Sequence, residues 1–420
     1  MFGLIDGNNF YASCERVFRP ELRNLPVVVL SNNDGCVIAR SNESKKIGIP
    51  MGAPAFQWEK VFKENNVNVF SANFILYGDL SNRMVNICRR FCQDIEVYSI
   101  DEAFLDFHGY QFTDLQTHCE ELRFKIFKGL DIPTSIGVAP TKTLAKVANK
   151  IAKKYPVHTN SVYILDSPEK IDKALKWFPI QDVWGIGSRY YRKFERYNIK
   201  TAWDFAQLPQ NFVHSIMGIV GVRMHNELNG ISQYGLSIPG SKKSIATTRT
   251  FDKVTDNLDE LKERISTFAF KCSEKLRSQN SCCLHITVFI RTNFFKEGAD
   301  QYSNSITVTL PSPSNSAIEI CKYASKALES IYKNGYLYKK AGVILSSFVP
   351  DSERIISLFD TDFHEKHLPI MNVIDFMNKR LGSEKIKLAS MDIQKTWKMN
   401  QKNLSKRYST ELNDVIIVKA

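Results

Sequence analysis

The chain has 420 residues, 43% of them hydrophobic and 11% aromatic, enough to build several cores and therefore several domains. Its formal net charge of +12 favours a polyanionic partner, nucleic acid first, and no stretch approaches the roughly 20 apolar residues that span a bilayer. Nine cysteines without a Cys-x-x-Cys pair, and no basic region leading into a long apolar core, speak against a disulfide framework, a zinc site and a secretory signal, so a soluble cytoplasmic protein is expected.

In chain order, an apolar strand runs straight into Asp6, and an amphipathic helix follows with Phe10, Cys14 and Val17 on one face. A carboxylate at a strand end beside a helix start is a common ligand position in α/β sheets. Residues 26–30 read as a short buried strand and 31–36 as its turn-rich exit. A small insertion follows, with a helix over 41–47 that carries Lys45. Residues 67–71 read as a strand, and 77–92 as a helix with Leu80, Met84, Ile87 and Phe91 on one face. Two apolar runs, 96–100 and 103–107, then flank Asp101 and Glu102. Adjacent carboxylates at a buried hairpin tip repel each other and lose solvation, and a hard divalent cation such as magnesium is the usual compensation. Neighbouring side chains on a strand point to opposite faces, so both acids reach one site only if the backbone bends between them. The bland alternative is a solvated acidic turn.

A long amphipathic helix over 113–129 leads to a strand at 133–139. Residues 140–154 then carry Lys142, Lys146, Lys150, Lys153 and Lys154 and no acid, with Leu144, Val147 and Ile151 as a core stripe. Such lysines repel one another unless phosphate is near. Gly185 and Gly187, followed by helices near 189–197 and 199–206, have the form of a helix-hairpin-helix, whose glycines let backbone N–H groups approach a phosphate. A Gly, Ser and Pro-rich linker spans 235–241. Residues 242–349 alternate strand, helix, strand, strand, helix, strand, and hold 16 Lys and Arg against 10 Asp and Glu, half of the net charge. Lys243, Arg249 and Arg291 are candidate phosphate contacts there.

The string Asp6-Gly7-Asn8-Asn9-Phe10-Tyr11-Ala12-Ser13-Cys14-Glu15, together with Tyr98-Ser99-Ile100-Asp101-Glu102-Ala103-Phe104, resembles the Y-family translesion DNA polymerases, in their UmuC-like branch. The resemblance extends through 391–397 and 404–410 and so covers nearly the whole chain. It implies an α+β, multidomain right-hand polymerase: a ferredoxin-like palm (1–30 and 67–165), small fingers (31–66), a helical thumb with the helix-hairpin-helix (166–235), a βαββαβ little finger (242–349) and a C-terminal partner-binding tail (350–420). It implies that Asp6, Asp101 and Glu102, with the Gly7 carbonyl, hold two Mg2+ ions, which in two-metal sites stabilise attacking and leaving oxygens. Lys45 and Lys153 would bind the triphosphate, and Ile38 and Ala39 would roof the nascent base pair. Tyr11, beside Phe10, would pack under the deoxyribose and exclude a 2′-hydroxyl. Primer–template DNA and deoxynucleoside triphosphates are the implied substrates. A processed UmuD dimer, a sliding clamp and a RecA-type recombinase are the implied partners, the clamp through Ile356, Leu358 and Phe359 although the usual leading Gln is replaced by Ile355. Two rivals remain open at this point: a nucleotide cyclase with the same metal chemistry, and an inactive DNA-binding scaffold on a polymerase fold.

Overall fold

The structure is a computed structural model and describes residues 1–237, 240–354, 364–382, 384–392 and 399–417. The chain forms two compact units, Met1–Ile238 with Gln401–Ala420, and Pro239–Asn400.

The first unit opens with β1 (Phe2–Gly7), α1 (Phe10–Val17), β2 (Val27–Leu30), β3 (Val37–Arg40), α2 (Asn42–Lys46), α3 (Ala55–Glu64), β4 (Asn68–Ser71) and α4 (Phe74–Cys88). It continues with β5 (Ile95–Val97), β6 (Glu102–Asp106), α5 (Leu115–Leu130), β7 (Thr134–Ala139), α6 (Lys142–Lys154), the single-turn α7 (Pro156–Thr159) and β8 (Val162–Ile164). Four helices follow: α8 (Pro168–Trp177), α9 (Ser188–Glu195), α10 (Ala202–Ala206) and α11 (Gln210–Leu228).

The main sheet has the order β5-β6-β1-β7-β8, antiparallel except between β7 and β8. Side chains alternate across it with a period of two. Ile5, Ala103, Leu105, Ile136 and Val138 pack with Met84, Cys88, Leu122 and Ile126 of α4 and α5. Phe2, Leu4 and Phe104 join the opposite core with Leu144, Val147 and Ala148 of α6 and the apolar faces of α8–α11. Gly137 explains how closely α6 lies on β7: a Cβ there would stand 2.1 Å from the Asn149 backbone nitrogen. Asn149 locks that approach, donating from Nδ2 to the carbonyls of Leu4 (3.1 Å) and Ser135 (2.8 Å).

The strands at 26–30 and 67–71, expected in the palm sheet, lie elsewhere. β2 pairs antiparallel with β3 and parallel with β4 in a separate three-stranded sheet. The physical reason is that β2 is buried on both faces. Val27 and Val29 meet Phe10, Cys14, Leu76 and Tyr77, whereas Val28 and Leu30 meet Ile49, Ala53 and Phe62. At the end of the chain, within the span expected to bind partners, residues 401–417 belong to the first unit and hydrogen-bond beside β4.

The second unit carries β9 (Ser244–Thr255), α12 (Leu258–Ser278), β10 (Ser281–Thr292), β11 (Ser303–Ser314), α13 (Ala317–Ile331), β12 (Tyr338–Pro350) and α14 (His364–Leu381). Its antiparallel sheet runs β11-β10-β12-β9. Ile265, Phe268, Ala269, Ala324 and Leu328 of α12 and α13 close one core with Ile286, Val288, Ile290 and Val343, and Met371 and Ile374 of α14 join it.

Candidate active site

Asp6 stands near the end of β1, opposite Glu102 on β6 and Ser135 on β7. The Gly7 N–H donates to the Asp101 carbonyl at 2.8 Å, which ties the hairpin turn to the strand. The bend that lets adjacent acids diverge from strand geometry is built by Ser99. Its Oγ donates to Asp101 Oδ1 at 2.6 Å and accepts from the N–H groups of Asp101 (3.3 Å) and Glu102 (3.0 Å).

Each acid has its own partner. Lys153 Nζ lies 2.5 Å from Asp6 Oδ2, and Lys146 Nζ donates to Glu102 Oε2 at 2.9 Å. Among the described residues, no three His, Cys, Asp or Glu side chains are arranged to hold a metal ion. The donor set nevertheless fits a hard divalent cation, being all carboxylate oxygen. Burial pushes the Asp6 carboxyl up to about 7 against the pull of Lys153, and the charges of Glu102 and Asp101 push the same way.

The sequence suggests phosphate as the relief for the mutual repulsion of the α6 lysines. Acids from other elements relieve them instead: Lys142 pairs with Glu96, Lys146 with Glu102, Lys150 with Asp182 and Lys153 with Asp6. Lys154 lies 4.7 Å from the Trp177 ring centroid. Lys142 is the extreme case, buried and bound to Glu96 and to the Gly235 carbonyl.

Asp6, Gly7, Phe10, Tyr11, Ile38, Ala39, Lys45, Asp101 and Lys153 line one cleft of about 390 Å³. Phe10 is buried in the core, while its neighbour Tyr11 is only half-buried, with its ring stacked on Tyr77 at 4.6 Å between centroids. Lys45 Nζ donates to Asn9 Oδ1 at 2.5 Å. Its ammonium is held below the usual lysine range, first by partial burial and then by the charges of Arg40 and Lys153. Asn9, Arg40 and Met51 also line the cleft and were not anticipated. Asn9 had a legible signal: it takes a left-handed backbone (φ 51°) that Asn tolerates better than most residues.

The predicted DNA contacts fall in both units. Gly185 adopts φ +93°, a backbone that favours glycine, and the atom nearest a Cβ there would be Met224 Cε, the yielding end of a flexible side chain. Gly187 is the N-cap of α9 and has open space around it. Lys243 is exposed just before β9. Arg249 lies opposite Ala341 and donates to the Thr248 carbonyl. Arg291 lies directly opposite Lys340, a like-charge pair across two strands that costs stability unless an anion is near. Ile356, Leu358 and Phe359 lie outside the described residues.

The fold is similar to solved Y-family structures. A Y-family DNA polymerase chimera, Dbh-Dpo4(243-245)-Dbh, matches with a TM-score of 0.68 and 22% identity, over 83% of this chain and all of the other. An insertion ternary complex of Dbh DNA polymerase matches at 0.55 and 21%, over 83% of this chain and all of the other. The architecture is thus the right hand of Y-family DNA polymerases. In sequence, residues 5–150 match the impB/mucB/samB family, 242–358 its C-terminal domain, and 369–418 a domain of unknown function, DUF4113. UmuC of Salmonella typhimurium is 36% identical over the full length of both chains, and ImpB of the same organism 37% over 99% of each. DNA polymerase IV of Bacillus velezensis is 26% identical over 91% of each. The chain belongs to the impB/mucB/samB family, the family of UmuC.

Proposed function

We propose that this protein is a DNA-directed DNA polymerase that copies damaged templates, a translesion enzyme of an SOS-type damage response. The observation that carries the reading is the single cleft into which Asp6, Asp101, Tyr11, Lys45 and Lys153 open, in a chain of this family.

Asp6, Asp101 and Glu102, with the Gly7 carbonyl, are the residues that would hold two magnesium ions. Bound there, such ions supply a lowered 3′-hydroxyl pKa and neutralise the charge of the triphosphate and leaving pyrophosphate. Lys153 and Lys45 both line the cleft and hold the triphosphate oxygens. Ile38 and Ala39 roof the base pair with small apolar side chains, a loose grip suited to distorted templates. Tyr11 presents its ring to the sugar. The basic open-face pair Arg291 and Lys340, with Lys243 and Arg249, and the glycines of the helix-hairpin-helix, hold the primer–template backbone without reading its sequence.

Family membership supports three protein partners, a processed UmuD dimer, a sliding clamp and a RecA-type recombinase. The nine cysteines are all free thiols and no helix among the described residues is long and apolar enough to cross a membrane, which supports a cytoplasmic setting. The test is primer extension on undamaged and abasic-site templates, with and without magnesium. Magnesium-dependent extension past the lesion is expected. No extension by the chain with its partners, alongside intact DNA binding, would leave the inactive scaffold, and a cyclic nucleotide product would make it a cyclase.

A further inference from the structure

Residues 401–410 return to the first unit and seat there through contacts that DNA synthesis, as described, leaves unused. Ser71 N donates to the Asn403 carbonyl and Asn403 N to Ser71 Oγ, each at 3.0 Å, and Leu404 makes an isolated parallel bridge to Ser71 at the end of β4. Asn73 Nδ2 donates to Ser405 O, Ser405 Oγ and Lys406 O at 3.2, 3.1 and 3.3 Å. The Tyr408 ring stacks on Phe18 at 4.9 Å. These ties hold the Ser405 hydroxyl where it donates to Glu15 Oε1 at 3.0 Å. The same oxygen accepts the Tyr77 hydroxyl at 2.6 Å. Glu15 is wholly buried, and its Oε2 has no hydrogen-bond partner among the described residues. Tyr77 in turn lies flat against Tyr11, at 4.6 Å and 18°. One line of contacts therefore runs from the C-terminal segment to the cleft wall: Ser405, Glu15, Tyr77, Tyr11.

We propose that residues 401–410 are a positioning element that fixes the Tyr77 backing of Tyr11, and thereby sets how strictly the cleft separates deoxyribose from ribose. The proposal rests on Tyr11 being the sugar-facing residue. Selection by clash is only as strong as the wall is unyielding. Tyr11 faces the cleft on one side, so its resistance comes from the rings behind it, Tyr77 stacked on it and Phe74 edge-on at 5.8 Å. The phenol of Tyr77 is held by a carboxyl that accepts two hydrogen bonds among the described residues, one of them from the C-terminal segment. Removing that hydroxyl frees the carboxyl to turn, and with it the backing ring.

The test measures ribonucleotide and deoxynucleotide insertion efficiencies with the full chain on one primer–template. Ser405→Ala should raise the ribo-to-deoxy ratio on the order of fivefold, the worth of one hydrogen bond. Ser405→Ala with Tyr408→Ala should raise it further, while Ser405→Thr, which keeps the hydroxyl, stays at the wild-type ratio. Deoxynucleotide insertion should change by less than about twofold in all three, because none of them touches substrate. A purely structural role would lower the thermal midpoint and leave the ratio unmoved, and that result in Ser405→Ala overturns the proposal. Should the double variant fail to fold, the single variant decides. Tyr11→Ala, run in parallel, separates the two layers. If it leaves the ratio unchanged, the sugar-facing reading falls; if it raises the ratio and Ser405→Ala does not, only the positioning proposal falls.

Discussion

Asp6 and Lys153 meet at 2.5 Å where β1 ends beside α6, and the carboxylate is by far the more buried partner. Burial outweighs the lysine and pushes the carboxyl up to about 7. A group in that position gains more from an added positive charge than an exposed aspartate does. The pair is a poised arrangement: the lysine keeps the acid compensated, and the acid keeps the lysine turned into the cleft.

Replacing Asp101 or Glu102 by Ala should lower single-turnover extension by about a thousandfold or more, the scale of losing transition-state charge stabilisation. Affinity for primer–template should stay near wild type, because it comes from phosphate neutralisation elsewhere. Extension at the normal rate by either variant would remove that residue from the site.

Tyr11→Ala should raise ribonucleotide insertion by up to about a hundredfold relative to deoxynucleotide insertion, the equivalent of relieving a clash of about 1–3 kcal/mol. The ratio of insertion efficiencies in wild type and variant is the measurement. A folded, active variant with an unchanged ratio places sugar selection on another residue.

Gly137→Ala should destabilise the first unit by about 3 kcal/mol, since the added methyl meets backbone rather than a yielding side chain. Urea unfolding monitored in the first unit checks this. Ala at Gly48 or Gly52, where nothing lies within 4 Å, controls for crowding. Both have positive φ, so they report backbone strain alone, and a Gly137→Ala loss no larger than theirs would deny the close approach of α6.

Glu15 gives a pH signature. Burial raises its carboxyl from the ordinary 4.5 to about 7, against the Tyr77 and Ser405 hydrogen bonds and the charge of Arg19. Between those values the folded state keeps a proton that the unfolded chain has released. Stability attributable to Glu15 therefore falls as pH rises through this window and is fully lost above it. Glu15→Gln cannot ionise, so its stability relative to wild type should increase from pH 4.5 to 7.5, by at most about 3 kcal/mol. Parallel pH profiles for the two proteins would show that another group titrates.

What was legible in the sequence was whatever has a local cause. The strand into Asp6, the hairpin around Asp101 and the βαββαβ order of the second unit follow from apolar periodicity and turn residues. Tyr11 separates from Phe10 because neighbours on a helix point in different directions. Sheet membership was not legible, because four apolar residues such as Val27, Val28, Val29 and Leu30 look alike beside any partner strand. The compensation of the α6 lysines was hidden too, since Glu96, Glu102, Asp182 and Asp6 come from four separate places in the chain. The docking of 401–410 rests on Asn73, Ser71 and Glu15, and nothing in a polar C-terminal stretch announces partners more than 300 residues away.

The return of residues 401–410 to β4 also orders events in time. On the ribosome, the first unit is translated early, yet the segment that bridges to Ser71 at the end of β4 emerges only after all of Pro239–Asn400 has been made. At ordinary elongation rates that is a delay on the order of ten seconds. During it, the Glu15 carboxyl lacks the Ser405 hydrogen bond and Asn73 Nδ2 lacks its acceptors on Ser405 and Lys406.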